Sequence, residues 1–121
     1  MKPSIIKPDN SKEIFTSEKC LILETVNAPD DEMLSLARAR VKPGTTTVWH
    51  VLDGIDERYL IISGKGRVEI GEIASTVGPG DLVLIPRETR QRITNVGKDD
   101  LVFYCICTPG FRPDRYRQIG E

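Results

Sequence analysis

The sequence predicts a single all-β domain, a sandwich or barrel, and three observations lead there. Ten Gly and eight Pro punctuate 121 residues, cutting the chain into apolar stretches of roughly 5–9 residues, the spacing of short strands joined by tight turns. Those stretches are rich in Val, Ile, Thr, Tyr and Phe, the residues that pack well on a pleated surface. Between residues 20 and 108 nothing repeats at the 3.6-residue period of a helix.

Each element follows from its punctuation. Residues 20–26 form the first predicted strand, ended by the turn-rich Asn27-Ala28-Pro29-Asp30-Asp31. A second strand over 33–41 stops at Pro43-Gly44. The β-branched stretch 45–52 ends at Asp53-Gly54, a strong hairpin signal. Strand 57–63 runs to Gly64-Lys65-Gly66, a hairpin turn and not a phosphate loop, because no helical pattern follows it. Strand 67–70 closes at Gly71, 73–77 at Gly78-Pro79-Gly80, and 81–85 at Pro86. Strands 90–95 and 101–108 flank the polar turn Val96-Gly97-Lys98-Asp99-Asp100. The expected layout is an N-terminal arm over 1–19, a barrel core over 20–108, and a tail over 109–121 with one helical turn near 114–118.

Composition excludes several partners. With 17 Lys+Arg against 18 Asp+Glu and a formal charge of −1, the chain lacks the basic excess that nucleic acid or an anionic membrane calls for. No apolar run approaches the ~20 residues that span a bilayer. Three cysteines, Cys20, Cys105 and Cys107, in a chain that opens without a signal-peptide pattern read as reduced thiols of a cytoplasmic protein.

The chemistry is expected around the single histidine. His50 lies seven residues before Glu57 with the Asp53-Gly54 turn between them, so adjacent antiparallel strands can bring imidazole and carboxylate to one face. Such a pair binds a divalent ion or transfers protons. Strand alternation puts Glu57, Tyr59 and Ile61 on one side, and Arg58, Leu60 and Ile62 on the other. Both sides are largely apolar, so both are expected to be buried, the outer one by a second subunit.

At this point the sequence resembles a known family. Gly44-x5-His50-x-Leu52-x4-Glu57-x6-Gly64 looks like the first motif of the cupin superfamily, in which the Leu52 position is usually a second His. Gly80-x5-Pro86-x-Glu88-x2-Gln91-x3-Asn95 looks like the second motif, in which Glu88 is usually Gly and Gln91 usually His. The resemblance implies a jelly-roll (double-stranded β-helix) barrel of two antiparallel sheets and a homodimer. It also implies a divalent metal held inside the barrel. Carried over residue by residue, His50, Glu57 and Gln91 are the ligands, a nitrogen and two oxygens suited to Mn, Fe, Ni or Zn. The resemblance then implies a small organic ligand and a dioxygenase-, isomerase- or decarboxylase-like activity. The alternatives are a non-catalytic binding or sensing module, and a metal-free, epimerase-like enzyme with His50 as base and Glu57 orienting it.

Tyr59 shares the inward face with Glu57 and is a candidate for both catalysis and substrate contact, with Gln91 as a further hydrogen-bonding group. Leu52 is expected to line an apolar pocket wall. Arg38 and Arg40 share a strand face, and from the lumen Arg40 could clamp a carboxylate; the ordinary alternative is a solvated face. Trp49 is expected to point away from His50, and Arg87, Arg90 and Arg92 to be solvated. Cys105 and Cys107 share a face as buried thiols, and the aromatic tail residues Phe111 and Tyr116 are expected to cap the barrel or a neighbour.

Overall fold

A computed structural model describes residues 1–120 of the chain. Its strands are β1 (Ile14–Phe15), β2 (Leu21–Val26), β3 (Ser35–Val41), β4 (His50–Leu52), β5 (Asp56–Ser63), β6 (Gly66–Ile70), β7 (Ile73–Val77), β8 (Leu82–Ile85), β9 (Gln91–Asn95), β10 (Leu101–Thr108) and β11 (Tyr116–Gln118). They form a six-stranded sheet in the order β1-β2-β3-β10-β5-β8 and a five-stranded sheet in the order β11-β4-β9-β6-β7. Every pairing between them is antiparallel. Helical structure among the described residues is limited to two single turns, Asn10–Lys12 and Pro113–Arg115. This is the two-sheet all-β architecture that the punctuation predicts.

Strand alternation builds the core. Inward side chains Val41, Tyr59, Ile61, Val68, Val83, Ile85, Ile93, Leu101 and Phe103 pack between the sheets. Asn95 anchors one end of this layer. Its Nδ2 donates to Val41 O and Asp99 O, both at 2.8 Å, and its Oδ1 accepts from Gly97 N at 2.9 Å. These three bonds tie the end of β3 to the turn before β10 and satisfy a buried carboxamide.

The structure departs from the sequence expectations in several places. Neither Asp53-Gly54 nor Gly64-Lys65-Gly66 closes a hairpin: β5 pairs with β8 and β10, β4 with β9 and β11, and β6 with β7 and β9. Each turn therefore carries the chain from one sheet to the other, and His50 and Glu57 face each other from opposite sheets. Residues 45–49 are not regular strand. Thr47 Oγ1 accepts from Ile93 N at 2.9 Å, a side chain taking the place of a ladder carbonyl, and only the isolated bridge Thr46–Thr94 precedes β4. In the tail, the turn Pro113–Arg115 gives way to β11, which pairs with the edge of β4. Within the single chain the outer side of β5 is partly open: Arg58 and Leu60 are half-buried, while Ile62 and the neighbouring Leu82 and Leu84 are exposed. Glu88, at a position where glycine is usual in the second motif, keeps the left-handed backbone (φ 59°). Its carboxylate accepts from Gly54 N at 2.6 Å, a charge-assisted bond that offsets the strain of a side chain in that region.

Two expectations follow for stability. Asn95→Ala leaves two carbonyls and one amide of the turn without partners and is expected to lower unfolding free energy by about 3 kcal/mol in urea titrations. Gly64 and Gly80 have nearly the same backbone, with φ of 90° and 89°. A Cβ on Gly80 meets open space, but one on Gly64 would sit 2.7 Å from Asp100 O and 2.9 Å from Leu101 Cα. Gly80→Ala should therefore cost about 1–2 kcal/mol from backbone strain alone, and Gly64→Ala clearly more; equal losses would refute the packing argument.

Candidate functional site

The site grows from the two-residue repeat of β5. Because Asp56, Arg58 and Leu60 face outward, Glu57 and Tyr59 face in and are buried. Across the lumen β4 and β9 meet at a single pair, His50 opposite Gln91, both buried. The Tyr59 hydroxyl donates to Gln91 Oε1 and ties the two sheets together. His50 Nδ1 lies 2.9 Å from Val48 O. A carbonyl can only accept, so Nδ1 carries a proton, and the tautomer with its lone pair on Nε2 is the one this contact selects. Tyr116, brought in by β11, stacks on that imidazole with centroids 5.0 Å apart and planes at 28°.

Beside this cluster lies a cavity of about 490 Å³. Glu57, Tyr59, Cys105, Cys107 and Phe103 line it from β5 and β10, Ala37 and Ala39 from β3, and Glu18, Cys20 and Ile22 from the segment that enters β2. Small side chains on β3 make the room. Ala37 pairs with Cys105 and Ala39 with Phe103, so the strand opposite the bulky residues contributes almost no volume.

Burial governs the electrostatics. Glu57 Oε2 is 3.6 Å from the Cys107 thiol, and Oε1 has no hydrogen-bond partner. Removal from water pushes the Glu57 carboxyl up to about 7; His50 and the Gln91 amide pull it down, and the nearby Glu18 adds to the rise. Glu18 is itself raised by burial, with His50 opposing. The Tyr116 phenol is pushed up to about 12 by burial and then by Glu18, and its oxygen too lacks a partner. Burial likewise pushes Cys20 up to about 12 and raises Cys105, Cys107 and Tyr59. The three thiols are free and held in their neutral form.

The structure brings His50, Glu57, Tyr59 and Gln91 into one cluster, of which Glu57 and Tyr59 line the cavity while His50 and Gln91 stand behind them. Two sequence candidates fall elsewhere. Arg40 points outward with Arg38: both guanidiniums hold Glu13, and Arg40 also reaches Asp100 at 2.8 Å, so neither clamps anything in the lumen. Leu52 packs with Ile55 and Cys107 in a small separate apolar cluster instead of lining the cavity. Trp49 does point away from His50, but its ring carries the guanidiniums of Arg90 and Arg92, 4.9 and 4.3 Å from its centroid. Arg90 and Arg92 also pair with Glu72 and Glu69, and Arg87 with Asp56. Sequence reasoning missed Glu18 in the site. Its only signal is a carboxylate two residues before a buried Cys, in a segment with no strand pattern. Tyr116 was readable only as a possible barrel cap.

The set fits a divalent metal poorly. Hydrocarbon stands at Leu52, Gln91 Oε1 is committed to the Tyr59 hydroxyl, and burial favours the protonated form of Glu57, which is a poor ligand. Among the described residues no three His, Cys, Asp or Glu side chains are grouped to hold an ion. One free imidazole nitrogen and one neutralised carboxyl are better matched to moving protons than to coordination.

Comparisons with known proteins agree with this architecture. An uncharacterized protein of Methanocaldococcus jannaschii is 30% identical over 105 residues, covering 85% of this chain and 84% of that protein. Streptomyces Pac13, described as a unique nucleoside dehydratase, superposes with a TM-score of 0.78 at 17% identity, covering 96% of this chain and 92% of that one. KdgF from Halomonas sp. gives 0.79 at 16% identity, covering 93% and 98% respectively. CapF from Staphylococcus aureus gives 0.73 at 21% identity, covering 98% of this chain but 35% of that one. At such identities the structural likeness is one of fold. The family model for the cupin domain matches residues 37–107, more than half of the chain and the part that carries β4, β5 and β9. With His50, Glu57 and Gln91 all inside that match, the chain belongs to the cupin family.

Proposed function

We propose that this cupin binds a small, partly apolar organic molecule in its barrel cavity and performs acid–base chemistry on it. The observation that carries this reading is Glu57: a buried carboxyl beside the cavity, one oxygen unpartnered, held near neutrality. A carboxyl poised there donates a proton in one half-reaction and takes it back in the other, which is what a general acid needs. His50 supplies the complementary base through Nε2, with its tautomer set by Val48 O and its ring held by Tyr116. Tyr59, its hydroxyl held by Gln91, forms part of the wall against which the substrate is oriented. Elimination of water and epimerisation next to an acidifying group are the reactions of this type. Pac13, which shares the fold, is described as a nucleoside dehydratase, and loss of water belongs to the same chemical class.

A second reading, ligand capture without turnover, draws support from the walls. Ile14, Ile22, Ala37, Ala39, Phe103 and Phe111 make most of the cavity apolar. The two readings part on His50. Parent protein, His50→Ala and Glu57→Gln are tested against a panel of nucleosides including uridine, sugars and small amines, by thermal shift and by product detection. For the enzyme we expect turnover to fall at least ~100-fold in both variants while the thermal shift is retained in Glu57→Gln. Binding without product in the parent selects the capture module. Metal analysis of the same three preparations adds the remaining arm: stoichiometric metal in the parent, lost in both variants, would replace acid–base chemistry with a metal centre.

The pH dependence of stability is a further expectation. Folding raises the Glu57 carboxyl from 4.5 to about 7, so between those values the folded state binds more protons than the unfolded one. The stabilisation is fully present below 4.5 and is lost as pH rises through 7, a fall of about 3 kcal/mol in all. Glu18 adds to the same slope. Urea titrations from pH 4.5 to 8 should show stability decreasing, and Glu57→Gln should flatten most of that decrease.

A further inference from the structure

We infer that the ligand of this cavity is an organic amine with an apolar body, its ammonium held between Glu18 and Glu57. The inference rests on the binding reading above and concerns which chemical class binds. Glu18, Glu24, Glu57 and one cation, Lys12, line the cavity. Glu24 and Lys12 are both exposed. Acids thus outnumber bases three to one in the cavity wall, and the one base is at the solvent side. His50 reaches both carboxyls electrostatically but turns its Nδ1–H to Val48 O.

The arginines that would receive an anion are placed and occupied elsewhere. Arg38 and Arg40 lie on the outer side of β3 with Glu13 and Asp100, and Arg90 and Arg92 lie on Trp49. A carboxylate or phosphate entering the cavity would meet three acids against a single, exposed lysine. An ammonium would meet the carboxyl groups of Glu57 and the half-buried Glu18, with the rings of Tyr59, Phe103 and Phe111 on the walls. Aromatic faces attract cations as well as apolar groups, so one surface serves both ends of such a molecule. A volume of about 490 Å³ accommodates a ring with a short aminoalkyl chain.

Three probes of nearly equal shape separate charge from size: 2-phenylethylamine, 2-phenylethanol and phenylacetate, titrated calorimetrically into the full chain at pH 7.5 and low salt. The amine is expected to bind at least tenfold more tightly than the alcohol, and phenylacetate more weakly than either. Glu18→Gln should reduce the preference for amine over alcohol several-fold while leaving alcohol affinity nearly unchanged; circular dichroism of the variant checks its fold. Equal or tighter binding of the alcohol or of phenylacetate overturns the charge inference and leaves the cavity reading standing. An amine preference untouched by Glu18→Gln and by Glu57→Gln also overturns it. If none of the three probes binds, the inference falls, while a thermal shift with another panel member would still uphold the cavity.

Discussion

A carboxyl group on the inward face of β5 is the constraint around which the rest is arranged. Burying an ionised carboxylate without a cation is too costly for a domain of this size. The fold meets that cost by neutralisation. Burial raises the Glu57 carboxyl to about 7, the Cys107 thiol packs against one oxygen, and the other is buried without a partner. Large side chains on β3 opposite Phe103 and Cys105 would fill the space beside this residue. Ala39 and Ala37 occupy those register positions instead, and the cavity exists because of them.

The same constraint explains why replacements at two motif positions change the chemistry and leave the barrel intact. Hydrocarbon at Leu52 joins Ile55 and Cys107 under the tail, a packing role that an imidazole would fill poorly. Gln91 keeps its place opposite His50, but a carboxamide can accept from a phenol, and its oxygen is taken by Tyr59. Hydrocarbon at one position and a hydrogen-bonded bridge between the sheets at the other stand where the motifs usually carry imidazoles. One imidazole and one carboxyl remain with unspent capacity, and those two groups are the ones suited to proton transfer.

Much of the barrel was legible because period-2 alternation and turn chemistry are local. The strands from β5 to β10 begin and end within a residue or so of the punctuation, and Glu57 and Tyr59 fall on the inward face that alternation assigns them. What was not legible depends on contacts between distant segments. Residues 45–49 have strand composition, yet a single hydroxyl, that of Thr47, substitutes for the ladder. The tail reads as a helical turn because Pro113 and Asp114 favour one; the free edge of β4 recruits the next three residues as strand. Arg40 shares a strand face with Arg38, but which face is inward depends on Ala39 and Val41 being the better core residues. Glu18 could not be found locally at all, since the chain before Cys20 enters the lumen only by docking against Val48.

Charge is sorted by side of the sheet, and that sorting ties fold to function. Outside, guanidiniums and carboxylates pair in screened, shallow contacts: Arg40 with Glu13 and Asp100, Arg92 with Glu69, Arg87 with Asp56. Such pairs contribute little individually, but they keep every nearby arginine engaged on the surface. Inside, Glu18 and Glu57 have no such ion pair, and burial raises both carboxyls instead. Acids on the inner side and paired bases on the outer side are two answers to one problem: a charge at the surface is met by a partner and by water, a carboxyl in the interior by its proton. On the binding reading proposed above, a cation entering the lumen would replace that proton, because the charged carboxyl then gains a partner where the effective dielectric is low.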